Sequence, residues 1–302
     1  MGEGGVAIAL RFGVYLDLML LFGLAVYPLY SGDAGTRAAS RGRVLLLGLA
    51  ILGLALGIAS FVAMTAAMAG VAVAELDRET LAFVLRETGH GAAFMVQVLA
   101  LLVAVGLALF SRGARGGWLV ASAAGVAVGS LAWTGHAGAT EALPGALHRL
   151  SDIVHLLAAA AWIGALVTLL RAAVATKAGA AVAEAQDALT AFAVAGSVIV
   201  GLIIVTGLVN SAMIVGFAGL PLLPYTLYGQ LLIAKLGLFA LMLVLASLNR
   251  WRLTPRLGPV PDDGDPSRAV AAVRTSLALE TGAAITILAV VAWLGTLAPP
   301  SP

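Results

Sequence analysis

The chain has 302 residues, of which 61% are hydrophobic and 11% charged, and its mean hydropathy is +1.05. A soluble domain carries about 25% charged residues, so this composition excludes a soluble protein and indicates an integral membrane protein. The net charge is only +2 and the basic residues form no run, which gives no support for nucleic-acid binding. With no cysteine, disulfides, thiolate metal sites and thiol redox relays are excluded as well.

Eight apolar stretches are long enough to cross a bilayer, which takes about 20 residues in a helix. We therefore predict an all-α, polytopic transmembrane bundle that forms a single membrane domain over residues 1–302. Glycine, proline and polar residues separate the stretches. In chain order, the predicted helices cover approximately residues 6–30, 44–70, 90–110, 118–136, 150–170, 190–216, 228–249 and 276–297.

The distribution of basic residues predicts the orientation of this bundle. One set of loops contains twelve lysines and arginines, whereas the opposite side contains four, namely Arg11, Arg78, Arg86 and Arg149. Because positive residues concentrate in cytoplasmic loops, both termini are expected on the outer side. The first stretch lacks a small-x-small cleavage site and carries Arg11 and Asp17, so we expect a retained helix rather than a signal peptide.

All four histidines are predicted to lie near the outer rim of the bundle: His90, His136, His148 and His155. His148 and His155 are seven residues apart and therefore differ by only about 20° around a helix. Asp152 lies between them on the same face, and Trp162 continues the stripe. A group of imidazoles at one membrane face is typical of a copper site outside the reducing cytoplasm.

Methionines near the same rim could supply soft thioether ligands for Cu(I). Met64 and Met68 are four residues apart near the end of the second predicted helix. We predict a metal site formed by the four histidines with these two methionines. Asp152 and Trp162 would contact and orient the ligands without binding the metal themselves.

Four further polar residues lie within apolar segments: Asp17, Asn210, Lys235 and Glu280. Such residues face the interior of a bundle and find partners there, or they line a pathway for ions. An ion pair between Asp17 and Lys235 is one arrangement, and a pair between Glu280 and Arg274 is another. The chain has no P-loop and no phosphorylated-aspartate signature, and its loops are too short for a catalytic domain, so we predict that it is not an enzyme.

Three stretches resemble the copper resistance protein D family (CopD), whose members include PcoD-like inner-membrane proteins. They are Leu147 to Leu166, Thr206 to Ser211, and Tyr228 to Lys235 with its continuation from Leu248 to Arg252. The resemblance is clearest over residues 135–297. It implies a multi-pass protein of the bacterial inner membrane that acts in copper resistance, homeostasis or uptake, beside a separate periplasmic carrier of the CopC type.

The function predicted from this resemblance and from the histidines is binding of copper at the outer face, followed by import or delivery to a partner. Two alternatives stay open. Histidines on neighbouring helices can also ligate haem, as in a b-type membrane cytochrome, and an assembly factor for a copper enzyme would need the same ligands.

Overall fold

The computed structural model describes residues 3–31, 33–110, 113–134, 142–175, 180–257 and 266–300. Within these ranges the chain is almost entirely helical and contains no strand, which confirms the all-α prediction. Eight helical spans in the same ranges are long and apolar enough to cross a membrane, as predicted. A helix suits this environment because it satisfies its backbone hydrogen bonds within the segment, where lipid offers none.

Ten α-helices follow one another along the described chain, and eight of them contain the membrane spans. Their bounds are α1 Glu3–Tyr30, α2 Asp33–Ala69, α3 Arg78–Glu87, α4 Gly89–Phe110, α5 Gly113–Gly129, α6 Ala142–Ala175, α7 Ala180–Ile214, α8 Gly216–Gly219, α9 Leu227–Leu248 and α10 Pro266–Leu294. A 3₁₀ turn, Ser130–Trp133, extends α5, and a π-helical turn, Asn249–Leu253, extends α9.

Several helices begin earlier than hydropathy predicted. The fifth span was predicted from residue 150, yet α6 begins at Ala142, and α10 begins at Pro266 rather than near residue 276. Hydropathy marks only the apolar part of a helix, whereas the helical backbone continues into the polar turns beside it. The prediction of the start of these two helices was therefore wrong by about two turns or more.

The short helix α3, which the apolar pattern did not predict, connects α2 to α4. Asp77 precedes it, and its side chain accepts a hydrogen bond from the backbone N–H of Thr80 at 2.7 Å. This hydrogen bond and the one from the Thr80 hydroxyl hold the pKa of Asp77 below its usual range. Gly70, with φ of 70°, ends α2 just before this connection.

Helix α1 lies at the centre of the bundle, packed against α2, α5, α6 and α10. Its side chains Leu18 and Leu21 are completely or almost completely buried. The closest crossing joins α1 to α6 at Gly23 and Gly164. A Cβ atom on Gly23 would lie 2.1 Å from the carbonyl oxygen of Ala160, and one on Gly164 would lie 2.1 Å from the carbonyl carbon of Gly23. The two backbones are therefore in direct contact, which small residues permit in membrane helices.

We call the end of the bundle that contains Arg11, Thr134, His148 and Gly295 the histidine end. Here the guanidinium of Arg11 donates hydrogen bonds to the carbonyl oxygens of Gly295, at 3.2 Å, and Thr134, at 3.4 Å. Both carbonyls follow the C-terminal ends of helical segments, where helix dipoles favour a positive charge. A Cβ atom on Gly295 would lie 2.5 Å from the Arg11 guanidinium carbon, so glycine leaves the space that the side chain fills.

Substitution Gly164→Ala is expected to lower the stability of the bundle by about 1–3 kcal/mol or more, because a methyl group cannot enter a backbone-to-backbone contact. The melting temperature of the detergent-purified protein measures this loss. Gly201→Ala is the matched control, since a Cβ atom on Gly201 in α7 meets nothing within 4 Å. Equal melting temperatures for the two variants would contradict the proposed contact.

Substitution Arg11→Met is expected to cost about 1.5–3 kcal/mol per lost hydrogen bond, the range for bonds to a charged group. Gly295→Ala should produce part of the same loss, because the flexible guanidinium would move away from its carbonyl partners. Arg78→Met, at an exposed position of α3, serves as the control in the same thermal unfolding experiment. An Arg11 variant as stable as the Arg78 variant would show that the hydrogen bonds from Arg11 to the two carbonyls do not stabilise the bundle.

Candidate metal centre

A cavity of about 170 Å³ with several polar side chains in its wall lies at the histidine end, between α1, α6, α7, α9 and α10. Most of its wall is apolar. Its polar lining consists chiefly of Arg11, Tyr15, His148, Asp152, His155, Asn210, Ser211, Tyr228 and Lys235. Five helices thus contribute to one partly open cavity that is lined by ionisable and other polar side chains.

Helix α6 contributes three of these side chains from one face. His148, Asp152 and His155 follow at spacings of four and three residues, and all three line the cavity. His148 is only 1% exposed, whereas Asp152 and His155 are partly buried. Helical periodicity alone brings them to the same face, while the contact at Gly164 on the same helix holds α6 against α1.

Helix α7 orients three of the α6 side chains through hydrogen bonds. The amide nitrogen of Asn210 donates to the Asp152 carboxylate at 3.1 Å, and Ser151 donates to the carbonyl oxygen of Thr206 at 3.3 Å. The Nδ1 atom of His155 lies 2.9 Å from Oγ1 of Thr206. Gly207 lies against this imidazole, since a Cβ atom there would be 3.4 Å from its Cε1.

The partners of Thr206 determine which nitrogen of His155 carries the proton. The Thr206 hydroxyl donates to the carbonyl oxygen of Leu202 at 2.5 Å, so its single hydrogen is already used. Nδ1 of His155 must then be the donor to Thr206, which leaves the lone pair of a neutral imidazole on Nε2. This is the arrangement of a metal-ligating histidine, whose second nitrogen donates to a neighbouring group.

Two basic side chains line the same cavity as Asp152. Lys235 of α9 and Arg11 of α1 both lie close enough for their charges to act on the Asp152 carboxylate. Arg11 is also bound to two carbonyl oxygens at helix ends. Asp152 is therefore the acidic side chain of the cavity with which Lys235 interacts electrostatically.

The remaining predicted ligands lie away from this cavity or outside the described residues. The imidazole of His90 stacks on Phe61, with ring centroids 5.4 Å apart. Met64 is 36% and Met68 59% exposed on the outer surface of the bundle. His136 falls outside the described residues. Of the predicted set, the structure brings together His148, Asp152 and His155.

The predicted supporting residues also have separate positions. Trp162 is buried in the core, where its ring meets Phe239 edge to face at 5.9 Å, and it does not line the cavity. Glu280 accepts a hydrogen bond from Asn249 rather than pairing with Arg274, which donates to the carbonyl oxygen of Ala173. In the described part of the chain, Glu280 and Arg274 therefore have separate hydrogen-bond partners.

Asp17 does not reach Lys235. Tyr15 of α1 lines the cavity, and Asp17, two residues further, points about 200° away around the helix. Its carboxylate packs on Gly53 of α2 instead. Arg11 lines the cavity and Thr206 contacts His155, but neither residue was part of the predicted site. The sequence gives little indication that Thr206 is functional, because a hydroxyl in a helix usually bonds to its own backbone.

No group of three or more histidine, aspartate or glutamate side chains in the described part of the chain is arranged to hold a metal ion. The donor chemistry nevertheless suits copper, since two imidazoles and a carboxylate share one cavity. The rise along a helix separates His148 from His155 by about 10.5 Å at the backbone. The two imidazoles therefore lie at different depths of the cavity.

Comparison with known proteins gives the family. The family model described as the N-terminal domain of copper resistance protein D-like proteins matches residues 1–146, and the model described as copper resistance protein D matches residues 186–294. No solved structure matches the chain.

Two curated proteins are similar along nearly their whole length. Copper resistance protein D of Pseudomonas syringae pv. tomato is 38% identical over 98% of both chains. Inner membrane protein YebZ of Escherichia coli (strain K12) is 28% identical over 97% of this chain and 98% of its own. With its eight apolar spans, the chain is a multi-pass protein of the bacterial inner membrane. It belongs to the copper resistance protein D family.

Proposed function

We propose that the protein binds copper in the cavity at the histidine end and passes it inward across the membrane, without acting as an enzyme. The observation that carries this proposal is the pair His148 and His155 on one face of α6, with Nδ1 of His155 bound by Thr206. Family membership supports copper as the cargo. If the predicted orientation holds, the cavity lies toward the outer side.

In this proposal the two imidazoles bind copper in turn. His148 lies nearer the start of α6 and receives the ion, and His155 takes it about 10.5 Å deeper along the helix axis. Asp152 lies between them and offsets part of the positive charge. The amide oxygen of Asn210, which has no hydrogen-bond partner among the described residues, is a further oxygen donor beside this path.

Lys235 controls the inner end of this path in the same proposal. When its side chain is charged, Lys235 repels a copper ion near Asp152 and competes with it for the carboxylate. Lys235 therefore acts as a gate rather than as a ligand. Asp17 and Glu280 do not line this cavity, so they are not part of the proposed route through it.

The assignment of His90, His136, Met64 and Met68 as copper ligands stays a prediction. A separate periplasmic carrier of the CopC type is the proposed donor of copper, and delivery to a copper enzyme would use the same cavity. The size of the cavity favours an ion over haem, because about 170 Å³ is below the roughly 300 Å³ at which ligand pockets begin.

The double variant His148→Ala/His155→Ala is expected to lose copper binding while the bundle remains folded. Elemental analysis of detergent-purified protein after loading with Cu(I) measures the copper content, and the melting temperature reports folding. Copper uptake into proteoliposomes should be lost in parallel. Unchanged copper content in the folded double variant would overturn the site assignment.

Two further measurements on the same samples separate the alternatives. His90→Ala retains its copper if the cavity on α6 is the site, and loses it if the wider predicted set of histidines acts together.

An absorption spectrum of the wild-type protein is expected to show no Soret band. A Soret band without copper would replace the copper proposal by the haem alternative.

Thr206→Val is expected to weaken copper binding about 10- to 100-fold, the usual effect of removing a partner that orients a ligating histidine. The substitution keeps the shape of the side chain but removes the oxygen that accepts from His155. Thr190→Val is the matched control, because Thr190 is exposed on the same helix and bonds only to the carbonyl oxygen of Gln186. Equal copper affinities of the two variants would mean that Thr206 does not orient the ligand.

A further inference from the structure

A second polar centre lies on the other side of α1, between α1, α2 and α4. Asp17 of α1 is 3% exposed and Gln97 of α4 is 7% exposed, so both side chains are buried within the membrane-spanning part of the bundle. Neither lines the cavity at the histidine end. The function proposed above makes no use of them.

Two glycines of α2 make room for these side chains. A Cβ atom on Gly53 would lie 2.6 Å from Oδ2 of Asp17, and one on Gly57 would lie 3.4 Å from Oε1 of Gln97. Because the glycines are four residues apart, they occupy one face of α2 on successive turns. We call this strip the glycine face; it holds a carboxyl group and a carboxamide on neighbouring turns.

The carboxyl group has no hydrogen-bond partner in the described part of the chain. This applies to both oxygens of Asp17, and the amide nitrogen of Gln97 likewise has none there. Asp17 is also the one aspartate among the buried residues described. A charged carboxylate in this position would lack both a donor and a counter-ion, which makes ionisation very unfavourable inside a membrane.

Charged groups on the surrounding helices are engaged elsewhere or lie near helix ends. On α1 itself, Arg11 binds two carbonyl oxygens at the histidine end. The other ionisable side chains on helices around α1 are Arg43, which donates to the carbonyls of Ala108 and Leu109; His90, stacked on Phe61; His148, Asp152 and His155 in the cavity; Glu280, bound by Asn249; and the arginines Arg115, Arg149, Arg171, Arg268 and Arg274. None of these described groups neutralises Asp17.

We propose that the carboxyl group of Asp17 is a proton-binding site in the interior of the membrane, occupied in the conformation described here. The proton comes from water and stays on the carboxyl group while α2 covers it. It returns to water when α1 and α2 separate and the glycine face becomes hydrated. The proposal is independent of the copper proposal, because Asp17 and the histidine cavity lie on opposite faces of α1.

Infrared spectroscopy of the full-length protein in lipid nanodiscs tests this directly, without copper. At neutral pH the wild-type spectrum should contain the carbonyl stretch of a protonated carboxylic acid, and Asp17→Asn should abolish that component. Glu280→Gln, which changes another buried carboxyl, and Asp77→Asn, which changes an exposed one, should both retain it. Identical wild-type and Asp17→Asn spectra in this region would overturn the proposal.

A second readout follows from proton linkage and reports folding at the same time. If the native protein holds a proton that the unfolded chain releases, its stability falls as pH rises. The melting temperature of the wild type should therefore fall more steeply with pH than that of Asp17→Asn, which is uncharged at every pH. The same slope for both proteins would contradict an occupied proton site.

Isotope labelling keeps the proposal testable even if Asp17→Asn does not fold. Carbon-13 labelling of the aspartate carboxyl groups, in an Asp152→Asn background, should shift the protonated-acid band. Asp152 is removed because it is the other aspartate described within the bundle interior. A band that does not shift would belong to glutamate and would exclude Asp17 as its source.

Discussion

The contact between Gly23 and Gly164 is the constraint on which the rest of the structure depends. It brings the backbones of α1 and α6 together with no side chain between them. Helix α6 carries the two cavity histidines, and α1 carries Arg11 on one face and Asp17 on another. The position of α1 against α6 therefore determines the width of the cavity. Burying apolar surface between helices gains little free energy in a membrane, because the lipid tails are equally apolar. Such close packing is therefore a main source of helix association.

Hydrogen bonding explains why the polar residues are divided between two centres. Around α6 and α7, side chains satisfy each other, as Asn210 does for Asp152 and Thr206 for His155. Around α1 and α2, the helices approach through glycines, which offer no side-chain donor. A carboxyl group facing such a surface is in an environment that disfavours ionisation, whereas one facing α7 has a donor. The same residue type thus has different chemistry on the two sides of one central helix.

The eight spans and the shared face of His148, Asp152 and His155 could be predicted from the sequence, because each depends on one helix alone. The sequence could not predict which side of each helix faces the cavity. In a membrane both the lipid-facing and the core-facing sides of a helix are apolar, so periodicity does not reveal the rotation of α2 and α4. Met64, Met68 and His90 were therefore grouped with the cavity residues by depth, although the structure turns them elsewhere. The first turns of α6 and α10 were not predicted, because hydropathy does not detect the part of a helix that continues beyond its apolar stretch.

The proposed copper site shares its cavity with two basic side chains, Arg11 and Lys235. The guanidinium of Arg11 faces the carbonyl oxygens of Thr134 and Gly295, whose helix dipoles offset its positive charge. Lys235 also interacts with Asp152, and it lies on α9 rather than on the α6 face that carries the imidazoles. A neutral imidazole is the form that binds a metal. In the copper proposal, a charged Lys235 would repel the ion while Asp152 would attract it. The proposed function therefore depends on the interaction between these two side chains.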